Sequence, residues 1–213
     1  MNKKLSVINW VIGIILANLG VCLCTKADFG ISMIGASPYI VHVWLRDRFP
    51  WYTQGTSEYI WEALILVIGC IIVRRFKLKY LLSFMTAVIA GLAIDGWFFV
   101  LGGNGAFSDF TVRIVMFSLG TLATALGIAF FFNTKMPMQV YELVVAEVSD
   151  RYGKDLNKVK YVNDIILLAV AVILSFALTR KFTGIGVGTV VITLLNAPLI
   201  GFFRKVICKI EKL

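Results

Sequence analysis

Six apolar runs, at 6–24, 59–73, 80–101, 110–132, 161–178 and 185–203, take up most of this chain. A helix crossing the hydrocarbon core needs about 20 apolar residues, and in lipid it must satisfy its backbone N–H and C=O groups within itself. The runs therefore predict an all-α, polytopic membrane protein with six transmembrane helices. Composition agrees: of 213 residues, 59% are hydrophobic and 15% charged, and the mean hydropathy of +0.87 is too high for an ordinary soluble surface. The run 6–24 follows Lys3 and Lys4 but is longer than a signal-peptide core and lacks a small-x-small cleavage pattern, so it reads as the first membrane helix. A single transmembrane domain over 1–213 is expected, with the lipid bilayer as its surroundings.

Basic residues outnumber acidic ones, 21 to 12. In a chain this apolar the excess reports orientation rather than nucleic-acid binding, because Lys and Arg concentrate in cytoplasmic loops. With six crossings and the amino terminus inside, 15 of the 21 basic residues fall on the cytoplasmic side: Lys3, Lys4, Lys135 and those in 74–79, 151–160 and 204–212. Both termini are thus expected in the cytoplasm. A seventh crossing at 26–44 or 136–148 would flip every later loop and spoil the bias. Trp44, Trp51, Trp61 and Trp97 then lie toward the outer interface, as an aromatic belt requires. Cys22, Cys24, Cys70 and Cys208 sit in or beside apolar runs without zinc-ligand spacing and read as packing residues.

The two halves echo one another. Leu19-Gly20 late in the first helix matches Leu126-Gly127 late in the fourth, and the segments 26–44 and 136–148 each precede a spanning helix. Tyr59 and Glu62 match Tyr161 and Asp164, and the third helices end in Gly96-Trp97-Phe98-Phe99 and Ile200-Gly201-Phe202-Phe203. Three helices per half means that the halves, about 5–105 and 106–205, must be inverted in the membrane. Each carries a short re-entrant or amphipathic insertion.

Leu19-Gly20, Phe29-Gly30, Ser37-Pro38-Tyr39, Asp95, the run Gly184-Ile185-Gly186-Val187-Gly188-Thr189 and Ala197-Pro198 together resemble the YczE/YyaS/YitT family of bacterial integral membrane proteins over nearly the whole chain. The resemblance implies a multi-pass bacterial plasma-membrane protein and supplies no substrate. Where that family usually has Gly-x-Gly-x-x-Pro in the second half, this chain has Met136-Pro137-Met138-Gln139.

Ionisable residues inside a bilayer cost about 2.5–3.5 kcal/mol each on insertion scales, which makes them candidates for function. Glu62, Asp95 and Asp164 are candidate proton or cation sites, with Arg113 near the outer end of its helix as an alternative structural partner for Asp95. Asn196 adds neutral polarity beside Pro198, which is expected to kink the last helix. Ser32, Ser37 and Pro38 would shape a solute cavity: Gly30, Gly35 and Pro38 permit a bent path, and the two serines could cap short helices whose N–H groups face an anion. The competing reading is an amphipathic hairpin at the outer surface. The glycines of 184–189 suit close packing or a tight entry turn better than a phosphate cradle, since no Walker lysine follows. His42 reads as an interfacial polar contact, and the charged stretch 142–160 as a solvated cytoplasmic connection. No metal, cofactor or catalytic constellation is expected, and hence no enzyme.

The leading expectation is transport of a small solute or ion by alternating access, with proton or cation coupling. Two other readings stay open: a metabolite-binding membrane subunit of a larger complex, and a structural or regulatory membrane protein. Gly13 and Ala17 form a small-xxx-small face that would suit a homo-oligomer or a membrane partner.

Overall fold

A computed structural model describes residues 3–210; Lys212, counted above among the cytoplasmic cations, and the side chain of Lys3 lie outside what is described. Eight helices and no strand occur among the described residues: α1 (Lys3–Ala27), α2 (Met33–Leu45), α3 (Gln54–Val73), α4 (Lys79–Val100), α5 (Phe110–Phe132), α6 (Val140–Tyr152), α7 (Leu156–Leu174, continued as a π-helical turn Ser175–Thr179) and α8 (Val187–Ile210). Six are long and apolar enough to cross a membrane, and they fall on the six apolar runs. This is a polytopic helical membrane protein. The other two, α2 and α6, have 13 residues each. At 1.5 Å per residue such a helix is about 20 Å long, short of the ~30 Å core.

Helix starts follow local chemistry. Thr53 caps α3 by accepting from Thr56 N–H at 3.0 Å, so this helix begins five residues before the apolar run at 59. Asp109 caps α5 and Asp155 caps α7 in the same way, accepting from Val112 and Lys158 N–H at 2.9 and 3.0 Å. Gly153, with φ of +60°, closes α6 in the left-handed conformation that glycine adopts without a Cβ clash. The stretch 26–44, which combines glycines, serines and a proline, is not a broken path. It folds as a turn followed by the continuous helix α2, with Pro38 inside it. Likewise α8 continues through Pro198.

The chain forms two compact units, each drawing on both halves of the sequence. The first comprises 1–32, 93–136 and 184–213. Its centre is the antiparallel pair α1 and α5, in close contact through small residues: Gly13 faces Gly127, and Gly20 faces Gly120. A Cβ on Gly120 would lie 2.9 Å from the Gly20 carbonyl oxygen, and one on Gly127 would lie 2.8 Å from Ala17 Cα. Such backbone proximity is how helices associate where lipid removes the hydrophobic incentive. The small face of Gly13 and Ala17 is therefore used inside the chain.

Both ends of this pair are clasped. At one end Lys135 N–H donates to Ser6 Oγ at 2.7 Å and Thr134 Oγ1 donates to the Ser6 carbonyl at 2.8 Å. At the other, Arg113 Nε donates to the Ala27 carbonyl at 2.7 Å and Nη2 to that of Asp28 at 2.9 Å. The 29–31 segment docks on the entry to α8, with Gly188 N–H donating to Phe29 O at 2.7 Å and Ile31 N–H to Gly184 O at 3.0 Å. A Cβ on Gly30, whose φ is +114°, would meet Gly186 N at 2.7 Å. The glycines of 184–189 thus serve a tight entry turn, and two of the motifs that carry the family resemblance, Phe29-Gly30 and Gly-x-Gly-Thr, touch one another.

The second unit comprises 33–92 and 137–183. Here α2 packs on α3 and α7, while α6 packs on α3 and α7. Leu66, Tyr80, Ala87, Val140 and Leu143 form one apolar cluster and Tyr141, Val145 and Leu167 another. The stretch 142–160, expected as a solvated connection, is instead mostly α6 and the first turn of α7. Val140, Leu143 and Glu147 recur at helical spacing and are buried. Glu147 is tolerated inside because Lys77 Nζ lies 2.6 Å from it, Lys79 also reaches it, and Tyr80 Oη donates to it at 2.8 Å.

Candidate functional site

The second unit holds a polar stripe within an apolar helix. Gln54, Glu58 and Glu62 follow one another at four-residue spacing, so they share one face of α3. Glu62 is 4% exposed. Its Oε2 accepts from Val140 N–H at 3.3 Å, which places a carboxylate at the amino-terminal end of α6. Gln139, the residue in the capping position there, makes no side-chain cap, so Glu62 acts as a cap supplied by another helix.

Two more carboxyls surround it. Glu58 and Glu142 are both within electrostatic reach of Glu62. The Oε2 atoms of both, and Oε1 of the buried Gln54, are shielded from solvent with no hydrogen-bond partner. Burial pushes the Glu142 carboxyl above its ordinary range, with Lys160 and its own backbone pulling the other way. Shielded acceptors without donors are costly unless they gain a proton or a cation. No three of the described His, Cys, Asp and Glu side chains converge closely enough to hold a metal ion. Chemically, this is an arrangement that can take up and release a proton.

Next along α6, Tyr141 donates its hydroxyl to Asp164 Oδ1 on α7, and Lys160 stands 5.2 Å from the centre of the Tyr141 ring. The first two residues of α6 therefore touch both Glu62 and Asp164, which the sequence pairs across the halves. Ser37 and Pro38 belong to the same unit. Ser37 lies inside α2, fully buried, so it does not cap a helix. Pro38 supplies a carbonyl to Ser57 Oγ at 2.6 Å, and His42 Nδ1 lies 2.9 Å from the Tyr52 carbonyl oxygen, a buried polar contact that ties α2 to the start of α3.

Ser32, Asp95, Arg113 and Asn196 belong to the first unit. Arg113 has Asp28 as its acidic neighbour, at 3.4 Å, and stacks 4.8 Å from the Phe29 ring, which makes it a clasp for the end of α1. Ser32 stands directly before α2, Asp95 is half-buried, and the shielded Oδ1 of Asn196 has no hydrogen-bond partner. Sequence reasoning missed Glu58, Glu142 and Tyr141. The four-residue spacing from Gln54 to Glu62 would have found the first, and the four-residue spacing of Tyr141 and Val145 on the apolar face of α6 would have found the last.

The family described as "Family of unknown function (DUF6198)" matches residues 4–205. The chain belongs to it. It is also similar to the "Uncharacterized protein YyaS" of Bacillus subtilis (strain 168), 26% identical over 200 residues that cover 92% of this chain and 90% of the relative. The resemblance read from the glycine and proline motifs thus holds. No solved structure matches the chain.

Proposed function

We propose that this protein moves a small solute across the bacterial plasma membrane by alternating access between two inverted halves, coupled to protons bound at the Glu62 group, with both termini cytoplasmic and no enzymatic step. The observation that carries this reading is the set of shielded, under-satisfied carboxyl oxygens of Glu58 and Glu142 beside Glu62 at the head of α6, within reach of a membrane-spanning helix. An intramembrane acid whose oxygens lack fixed hydrogen-bond partners is what a proton-coupled carrier needs, because it must exist in both protonation states during a cycle.

Inverted halves are supported by a constant spacing. The interval from Gly13 to Gly120 equals that from Gly20 to Gly127, and also that from Met33 to Val140 and from Leu45 to Tyr152, the bounds of the two short helices. It carries Ser6 onto Arg113 and Ala27 onto Thr134, the residues that clasp opposite ends of the α1–α5 pair. Equivalent helices running antiparallel are what inverted repeats produce. The exchange of partners, α2 on α7 and α6 on α3, follows the same logic.

The test is thermal stabilisation of the purified protein against a library of metabolites and ions at pH 5.5 and pH 8, followed by uptake of any hit into proteoliposomes. A hit whose shift depends on pH in the wild type and loses that dependence in Glu62→Gln supports the reading. Normal folding with uptake that proceeds unchanged in Glu62→Gln and without a proton gradient overturns it.

A further inference from the structure

An open groove of about 560 Å³ runs between α3 and α4, within the size range of about 300–1,000 Å³ typical of ligand-binding clefts. Ala63, Leu66, Val67, Ile71, Leu81 and Phe84 line its length, and Arg74 and Arg75 stand at one end. We propose that this groove is a site for one anionic phospholipid, its acyl chain lying along α3 and α4 and its phosphate held by Arg74 and Arg75. The proposal is independent of whether the protein transports anything.

Three observations point to that occupant. The groove lies on two helices long and apolar enough to cross a membrane, and Val67, Ile71 and Leu81 are exposed along it, so hydrocarbon is what meets its walls. The basic segment between the helices divides its charges by residue type. Lys77 and Lys79 turn onto Glu147 and share its one negative charge, while the exposed Arg74 and Arg75 face the groove. Arg74 ends α3 in the left-handed conformation, φ +54°, which makes the chain turn at the mouth of the groove. Guanidinium groups are suited to phosphate because their planar N–H fork binds two oxygens at once. Two of them beside an apolar channel complement a lipid that is anionic at one end and apolar along its length, and basic pockets between membrane helices are known to take such head groups.

The experiment reconstitutes the full chain in bilayers of phosphatidylglycerol or of phosphatidylcholine and compares thermal stability and co-purified lipid by native mass spectrometry. The expected result is stabilisation by phosphatidylglycerol over phosphatidylcholine, weakened by raised salt. Affinity should fall about fivefold for each arginine removed and about 30-fold in Arg74→Gln/Arg75→Gln. Arg74→Lys/Arg75→Lys keeps the charge and should recover part of the effect, which separates lipid binding from misfolding. Lys154→Gln/Lys158→Gln should leave it intact. Equal stabilisation by the two lipids, an effect retained in the double glutamine variant, or full stabilisation by inorganic phosphate alone would each overturn the proposal. So would a second copy of the chain cross-linking through Val67→Cys.

Discussion

Glu147 shows how a single carboxylate can bind an amphipathic helix to its neighbours. Burial opposes its charge, but hydrogen bonds from Lys77, Lys79 and Tyr80 outweigh burial and hold its carboxyl down to about 2. Because the folded value lies below the ordinary carboxylate value of about 4.3, the stabilisation is present above that value. It is lost as pH falls toward 2. Glu147→Gln should cost about 2 kcal/mol at neutral pH, the two lysines being partly exposed and screened. Melting curves in detergent between pH 7 and pH 3 should show the wild type converging on the variant. Tyr141→Phe removes the hydroxyl donated to Asp164 and should cost about 1–2 kcal/mol while leaving α6 in place. Glu58 escaped sequence reading for a local reason: the apolar run starts at Tyr59, whereas Thr53 caps the helix early enough to take Glu58 inside it.

At the scale of elements, the α1–α5 pair depends on having nothing at four positions. Gly127→Leu would drive a side chain into the backbone of Ala17, and overpacking of this kind costs about 3 kcal/mol. Gly96→Leu is the control, since a Cβ there meets nothing within 4 Å. Thermal melting should separate the two variants clearly; equal Tm values would mean that the helices can part without cost. The six spans were legible because each is long and apolar, and that signal needs no tertiary information. The short helices were not. In α2, Ser37 and Pro38 look like breakers, yet the helix continues through Pro38, with Gly35, Ala36, Ser37, Pro38 and Ile40 all buried around that turn so that packing offsets the lost N–H. In α6 the density of charge in 142–160 hid an apolar period, and only the folded chain brings Lys77 and Lys79 to Glu147.

For the whole molecule, the equal intervals make a prediction about sidedness. Asp28 and Lys135 stand at equivalent points just beyond α1 and α5, and both are exposed. With the native cysteines replaced, Asp28→Cys and Lys135→Cys should react with a membrane-impermeant maleimide from opposite faces of the cell membrane. Labelling from the same face would be incompatible with inverted halves. Each compact unit takes segments from both halves of the sequence, so Glu62 and Asp164 enter one unit while Asp95, Arg113 and Asn196 enter the other.

Length and hydropathy, by themselves, determined that the chain is all-α and that six segments can cross a membrane, because in lipid a spanning segment must satisfy its own backbone and needs no partner to do so. The tertiary structure decided which polar groups meet. That α6 places Val140 on Glu62 and Tyr141 on Asp164, and that Arg113 clasps the end of α1, depends on contacts between residues far apart in the chain. No hydrophobic period encodes the direction in which a buried carboxylate points; the packing of its neighbours sets it.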